Sequence, residues 1–105
     1  MREEENVLCS ASHYIQKYYF NERFDRLPES IKQELQIMCV LFTEDVGGIL
    51  TLYFTEDGDL EFRTEAYEED ILYDEIGSAL KVKQLRIDKA ELFEALETFY
   101  STFYR

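Results

Sequence analysis

The chain has 105 residues, long enough for one domain (residues 1–105) with a hydrophobic core of its own. Its 46% apolar content excludes wholesale disorder, and no apolar run approaches the roughly 20 residues needed to span a bilayer. A net charge of −12 disfavours nucleic acid and anionic membrane as partners.

The first residues, MREEENV, are acidic and lack the apolar stretch of a signal peptide, so a cytoplasmic location is expected. Two cysteines, Cys9 and Cys39, are too few for a disulfide framework and are expected to stay reduced.

From Asn6 to about Asn21, Val7, Leu8, Ala11, Tyr14, Ile15 and Tyr18 recur at three- and four-residue steps. That spacing predicts an N-terminal helix with one apolar stripe. Pro28 then marks a turn, followed by a short helix near Glu29–Leu35. The next stretch reads two ways. Ile31, Leu35, Met38 and Phe42 fit a helix continued from Pro28, whereas Ile37–Phe42, with a Gly-Gly ahead, fits a buried strand; the strand is the expectation.

The following segments are plainer. Gly48–Thr55 is rich in β-formers. From Asp59 to Glu65, Leu60, Phe62 and Thr64 alternate with polar residues, as in a half-buried strand. Asp57-Gly58 between the two is a strong hairpin signal. The tetrapeptide FTED occurs twice, at Phe42–Asp45 and Phe54–Asp57, each just before a glycine, which suggests two turns of one meander.

After Ala66 the helical period returns. Leu72, Ile76, Ala79, Leu80 and Lys83 share a face, predicting a helix from about Glu68 to Lys83, although residues 80–87 also fit a short strand. Asp88 and Glu91 form a capping-box pattern for a last helix, Lys89–Tyr104. The predicted fold is α+β: an N-terminal helix, a three-stranded antiparallel meander and two C-terminal helices on one sheet face.

Three constellations bear on function. From Glu56 to Glu75, ten carboxylates face Arg63 alone; Asp59, Glu61, Glu65, Glu68 and Glu69 are the candidate contacts for a basic protein segment, the alternative being a solvated face. As a calcium loop this run fails: counting from Asp57, the sixth position, which needs glycine, is Phe62. No metal or cofactor is expected. Second, Cys9 and His13 lie four apart, so on a helix they would touch; a small thiol- or metal-dependent enzyme centred on them is the competing reading. Third, among eight Phe and eight Tyr, whose plain reading is core packing, the last helix has an apolar arc wider than one sheet face requires and Phe20 points away from the stripe of its own helix. Phe20, Phe103 and Tyr104 are the candidate interface rings, in a homodimer or with another protein.

The stretch IMCVLFTEDVGGILTLYFTEDGDLEFRTEA resembles a small bacterial family of unknown function, over most of the chain. The resemblance carries no motif that fixes a role. The architecture is also similar to that of small acidic secretion chaperones, which implies a dimer or a complex subunit; this chain is shorter and lacks their second strand pair after the meander. The reading that follows is a non-enzymatic cytoplasmic interaction protein.

Overall fold

Among residues 6–104, which the computed structural model describes, a four-stranded antiparallel sheet and three α-helices of 14 residues or more form the fold. In chain order these are β1 (Val7–Ser12), β2 (Lys17–Phe20), a 3-10 turn (Glu22–Phe24), α1 (Glu29–Val46), β3 (Ile49–Phe54), β4 (Leu60–Glu65), α2 (Glu75–Asp88) and α3 (Ala90–Phe103). The α+β class agrees with the sequence; the number of strands and the N-terminal element do not.

The predicted N-terminal helix is a β-hairpin. Residues 13–16 form its turn, with Gln16 at φ +54 and its side-chain amide donating to the His13 carbonyl at 2.6 Å. β1 lies between β2 and β3, so the sheet order is β2-β1-β3-β4. Both edges of β1 are therefore paired, Ser10 opposite Tyr19 on one side and opposite Thr51 on the other. The partner strand arrives from 41 residues away, and Ser10 Oγ meets Thr51 Oγ1 at 3.0 Å. That long-range ladder overrides the local helical spacing, which amounts to only tenths of a kcal/mol per residue.

The second correction concerns Ile37–Phe42, which is helical. Nothing between Pro28 and Gly47 interrupts α1, and Leu35, Met38, Cys39, Phe42 and Thr43 are its buried stripe. The i, i+3, i+4, i+7, i+8 spacing is a helix face, while the β-formers Val40 and Leu41 are incidental to it. The meander accordingly loses its first strand, and the sheet gains β1 and β2 instead. The FTED repeat has no common structure: the first copy lies in the last turns of α1, the second ends β3 and enters its turn. Gly47 (φ +78) terminates the helix and Gly58 (φ +89) makes the hairpin turn, so each copy precedes a left-handed glycine for a different reason.

The third correction is the start of α2. It begins at Glu75 rather than near Glu68, with the Asp74 carboxylate capping Gly77 N–H at 2.8 Å. It then runs through Asp88, so the predicted Asp88 capping box does not form, and Lys89 is the hinge between α2 and α3.

Cys9, Ala11, Leu50, Leu52, Phe54 and Leu60 share the inner sheet face by register and are buried. α1 packs against β1, β2 and β3, and α3 against β4. Aromatic rings close one end of this core. Phe54 stacks on Tyr100 at 4.2 Å, Phe24 tilts against Phe54 at 5.6 Å, and the Tyr100 hydroxyl donates to Asn6 Oδ1 at 3.0 Å.

Candidate functional site

The hairpin separates Cys9 from His13. Four residues of extended chain span roughly 13 Å. Cys9 points into the core, whereas His13 is exposed in the turn, its backbone N–H donating to Gly48 O at 2.9 Å. What Cys9 meets instead is Cys39 of α1, with the sulfurs 3.8 Å apart and both residues fully buried. The Cys9 hydrogen bond and burial push the Cys39 thiol well above its usual pKa. The Tyr18 hydroxyl is buried beside them without a partner in good geometry; burial, then Cys9, raise its pKa too. Protonated, desolvated thiols are poor nucleophiles.

The acidic candidates spread over two elements. Glu61 pairs with Arg86 of α2 at 3.0 Å and Glu65 with Arg63 at 3.3 Å. Asp59 is exposed in the hairpin turn, and Glu68 and Glu69 are exposed in the loop before α2. That loop is pinned by aromatic contacts. Tyr14 stacks on Tyr67 at 3.8 Å, donates to Asp70 at 2.6 Å and accepts from Tyr67 N–H at 3.0 Å. Among the described residues, no three His, Cys, Asp or Glu side chains converge as a metal site.

The candidate interface rings also divide. Phe20 and Tyr104 pack partly buried against the protein's own core, and the Tyr104 hydroxyl donates to Arg23 O at 2.6 Å. Phe103 is half exposed, under the Arg26 guanidinium at 5.0 Å from the ring centre.

Exposed apolar surface lies on the helices. Between α1 and α2 runs a groove of about 590 Å³, floored by Ile37, Met38, Leu41, Phe42 and Leu85. Lys81 and Lys89 stand on its rim, tied to Asp45 and to Glu34 (2.9 Å), respectively. Ile37 and Leu41 expose 59% and 58% of their surface there. On α2 only Ser78 is buried. Ile76, Leu80 and Ile87 are 62–76% exposed, and Ile71 and Leu72 in the preceding loop about 90%. The periodicity groups Ile76 and Leu80 on one face, as the helix does, whereas Leu72, grouped with them in the sequence, lies in the loop before it. The outward orientation of that face was invisible in the sequence, because an amphipathic stripe reads the same whether it faces a core or a partner.

A family model described as a family of unknown function, DUF6145, matches residues 5–105, and the chain belongs to that family. No curated protein and no solved structure matches it. Among the described residues, no helix is long and apolar enough to cross a membrane.

Proposed function

We propose that this chain is a non-enzymatic, cytoplasmic protein-interaction module that receives an apolar segment of a partner protein between α1 and α2. The observation that carries the reading is the groove, where two large aliphatic side chains, Ile37 and Leu41, remain more than half exposed beside Met38, Phe42 and Leu85. An elongated apolar floor between two helices, with charged groups at its rim, suits an amphipathic helix laid lengthwise. The acidic run containing Asp59, Glu61, Glu65, Glu68 and Glu69 favours a partner with basic flanks, by a contact that weakens with salt. The competing enzyme reading has less support, since Cys9 is sealed in the core and His13 lies outside it.

The test is affinity capture from cell extract with the wild type and an Ile37→Asp/Leu41→Asp variant, compared by quantitative mass spectrometry. The proposal expects at least one protein to be retained by the wild type and lost by the variant, with unchanged folding by circular dichroism. An identical captured set for both would overturn it.

A further inference from the structure

Cys9 and Cys39 are the two cysteines of the sequence, and the fold brings them together from positions 30 residues apart. Cys9 sits on β1, the strand with both edges paired, and Cys39 on the buried stripe of α1. Their sulfurs are 3.8 Å apart and both residues are 0% exposed. Packing alone needs no second sulfur there, since a thiol is a weak donor and a small apolar side chain fills much of the same space. Among the described residues, no third His, Cys, Asp or Glu joins the pair as a metal site, so the chemistry open to it is that of two thiols with each other. We propose that Cys9 and Cys39 form a reversible redox modification site, joined by a peroxide into a disulfide that staples α1 to β1 and released by a thiol reductant. The proposal is independent of the groove between α1 and α2.

The reaction balances within the pair. One sulfur, as thiolate, attacks a peroxide oxygen; the O–O bond breaks, a sulfenic acid forms, and the departing hydroxide takes up a proton as water. The second sulfur attacks the sulfenic sulfur, the S–O bond breaks, and a second water leaves with that thiol's proton. Two thiols and one hydrogen peroxide thus give one disulfide and two waters. A disulfide holds its sulfurs about 2.05 Å apart, so the pair must close by roughly 1.8 Å, which side-chain rotation and a small helix shift can supply. The product is neutral, as the apolar core around it requires.

Tyr18 marks the route by which an oxidant arrives. Its hydroxyl is buried beside the thiols without a partner in good geometry. The same residue lines a cavity of about 190 Å³ between the first hairpin and α1, together with Ala11, Gln36, Val40 and Thr43. The strand that carries it, β2, has four residues and pairs with β1 alone. Short edge strands are among the first elements to open locally, and an unsatisfied buried hydroxyl weakens the hold of this one. Opening of β2 joins the cavity to the sulfurs and admits water and peroxide to thiols that are otherwise protonated and sealed. Oxidation is therefore slow and set by that opening, and the reduced pair is the resting state in a reducing compartment.

The test is overnight exposure of the purified wild type to millimolar hydrogen peroxide at neutral pH, followed by thiol alkylation in denaturant and mass spectrometry. Both thiols should be lost together, the single chain should be lighter by two hydrogen atoms, and proteolysis should yield one peptide linked through Cys9 and Cys39. Dithiothreitol should restore both thiols. The oxidised protein should keep its circular dichroism spectrum and unfold at a urea midpoint higher by about 1–2 M, because the bridge closes a long loop of the unfolded chain. Cys9→Ala should give no intramolecular disulfide. Tyr18→Ala, which strips the ring from the strand edge, should speed the reaction at least tenfold; the wild-type measurement stands whether or not that variant folds. Thiols still free after the exposure, a disulfide between chains, or an oxidised form with a lower midpoint than the reduced one overturns the proposal.

Discussion

Neighbouring residues of α1 should differ sharply in what they contribute to stability, because the helix places them on opposite sides. Leu41 is 58% exposed in the groove and Phe42 is 2% exposed in the core. Burying a whole leucine side chain contributes about 1.5–3 kcal/mol, so the part of Leu41 shielded from water contributes roughly 1 kcal/mol or less. Phe42→Ala removes a fully packed ring and leaves a cavity, at a cost of about 3–5 kcal/mol. At a urea slope of about 1.5 kcal/mol per molar, Phe42→Ala should lower the unfolding midpoint by about 2–3 M, and Leu41→Ala by less than about 0.7 M. Equilibrium unfolding followed by far-ultraviolet circular dichroism measures both. Cys39 supplies the control: a strand through residues 37–42 would put Ile37, Cys39 and Leu41 on one face, whereas the helix buries Cys39 alone. Comparable shifts for Leu41→Ala and Phe42→Ala, or a harmless Cys39→Asp beside a costly Leu41→Asp, would refute the helical assignment and the groove with it.

Two further outcomes follow from local geometry. The hydrogen bond shared with Cys9 and burial hold the Cys39 thiol above the ordinary 9.0, so the folded state keeps a proton that the unfolded state releases. Stability should therefore be full below pH 9 and decline as the pH rises past it; Tyr18, raised from 10.0, adds to the decline at higher pH. Urea midpoints at pH 7.5 and 10 should fall less in Cys39→Ala than in the wild type, and equal falls would refute the assignment. Gly48→Ala should destabilise more than Gly47→Ala, although both residues have positive φ. A Cβ on Gly48 would sit 2.6 Å from Glu65 O and from the Tyr73 ring, while the nearest atom to one on Gly47 is at 4.0 Å. The left-handed conformation alone costs about 1–2 kcal/mol, so equal losses in a denaturation series would contradict the Gly48 packing.

The candidate site was legible in part. Ile76, Leu80 and Lys83 were grouped on one face by their spacing, and the acidic run needed only counting. In the sequence Ile37–Phe42 reads as a strand, which conceals the exposure of Ile37 and Leu41 in a groove. The Cys9–His13 pairing failed because four residues mean contact on a helix and about 13 Å on a strand.

What the sequence determined by itself was whatever depends on near neighbours. The strands Ile49–Phe54 and Leu60–Glu65 and the turn at Gly58 follow from alternation and a single Asp-Gly, and the last helix from a wide apolar arc. The tertiary structure decided the rest. Val7–Ser12 carries a helical stripe yet becomes the strand with both edges paired, since it is held by a partner more than forty residues away. It also decided direction. With the sheet covered by α1 and α3, α2 has little core left to face, and its best apolar stripe turns to the outside. Periodicity reports that a helix has an apolar face; only the packing of the other elements says whether that face is already covered.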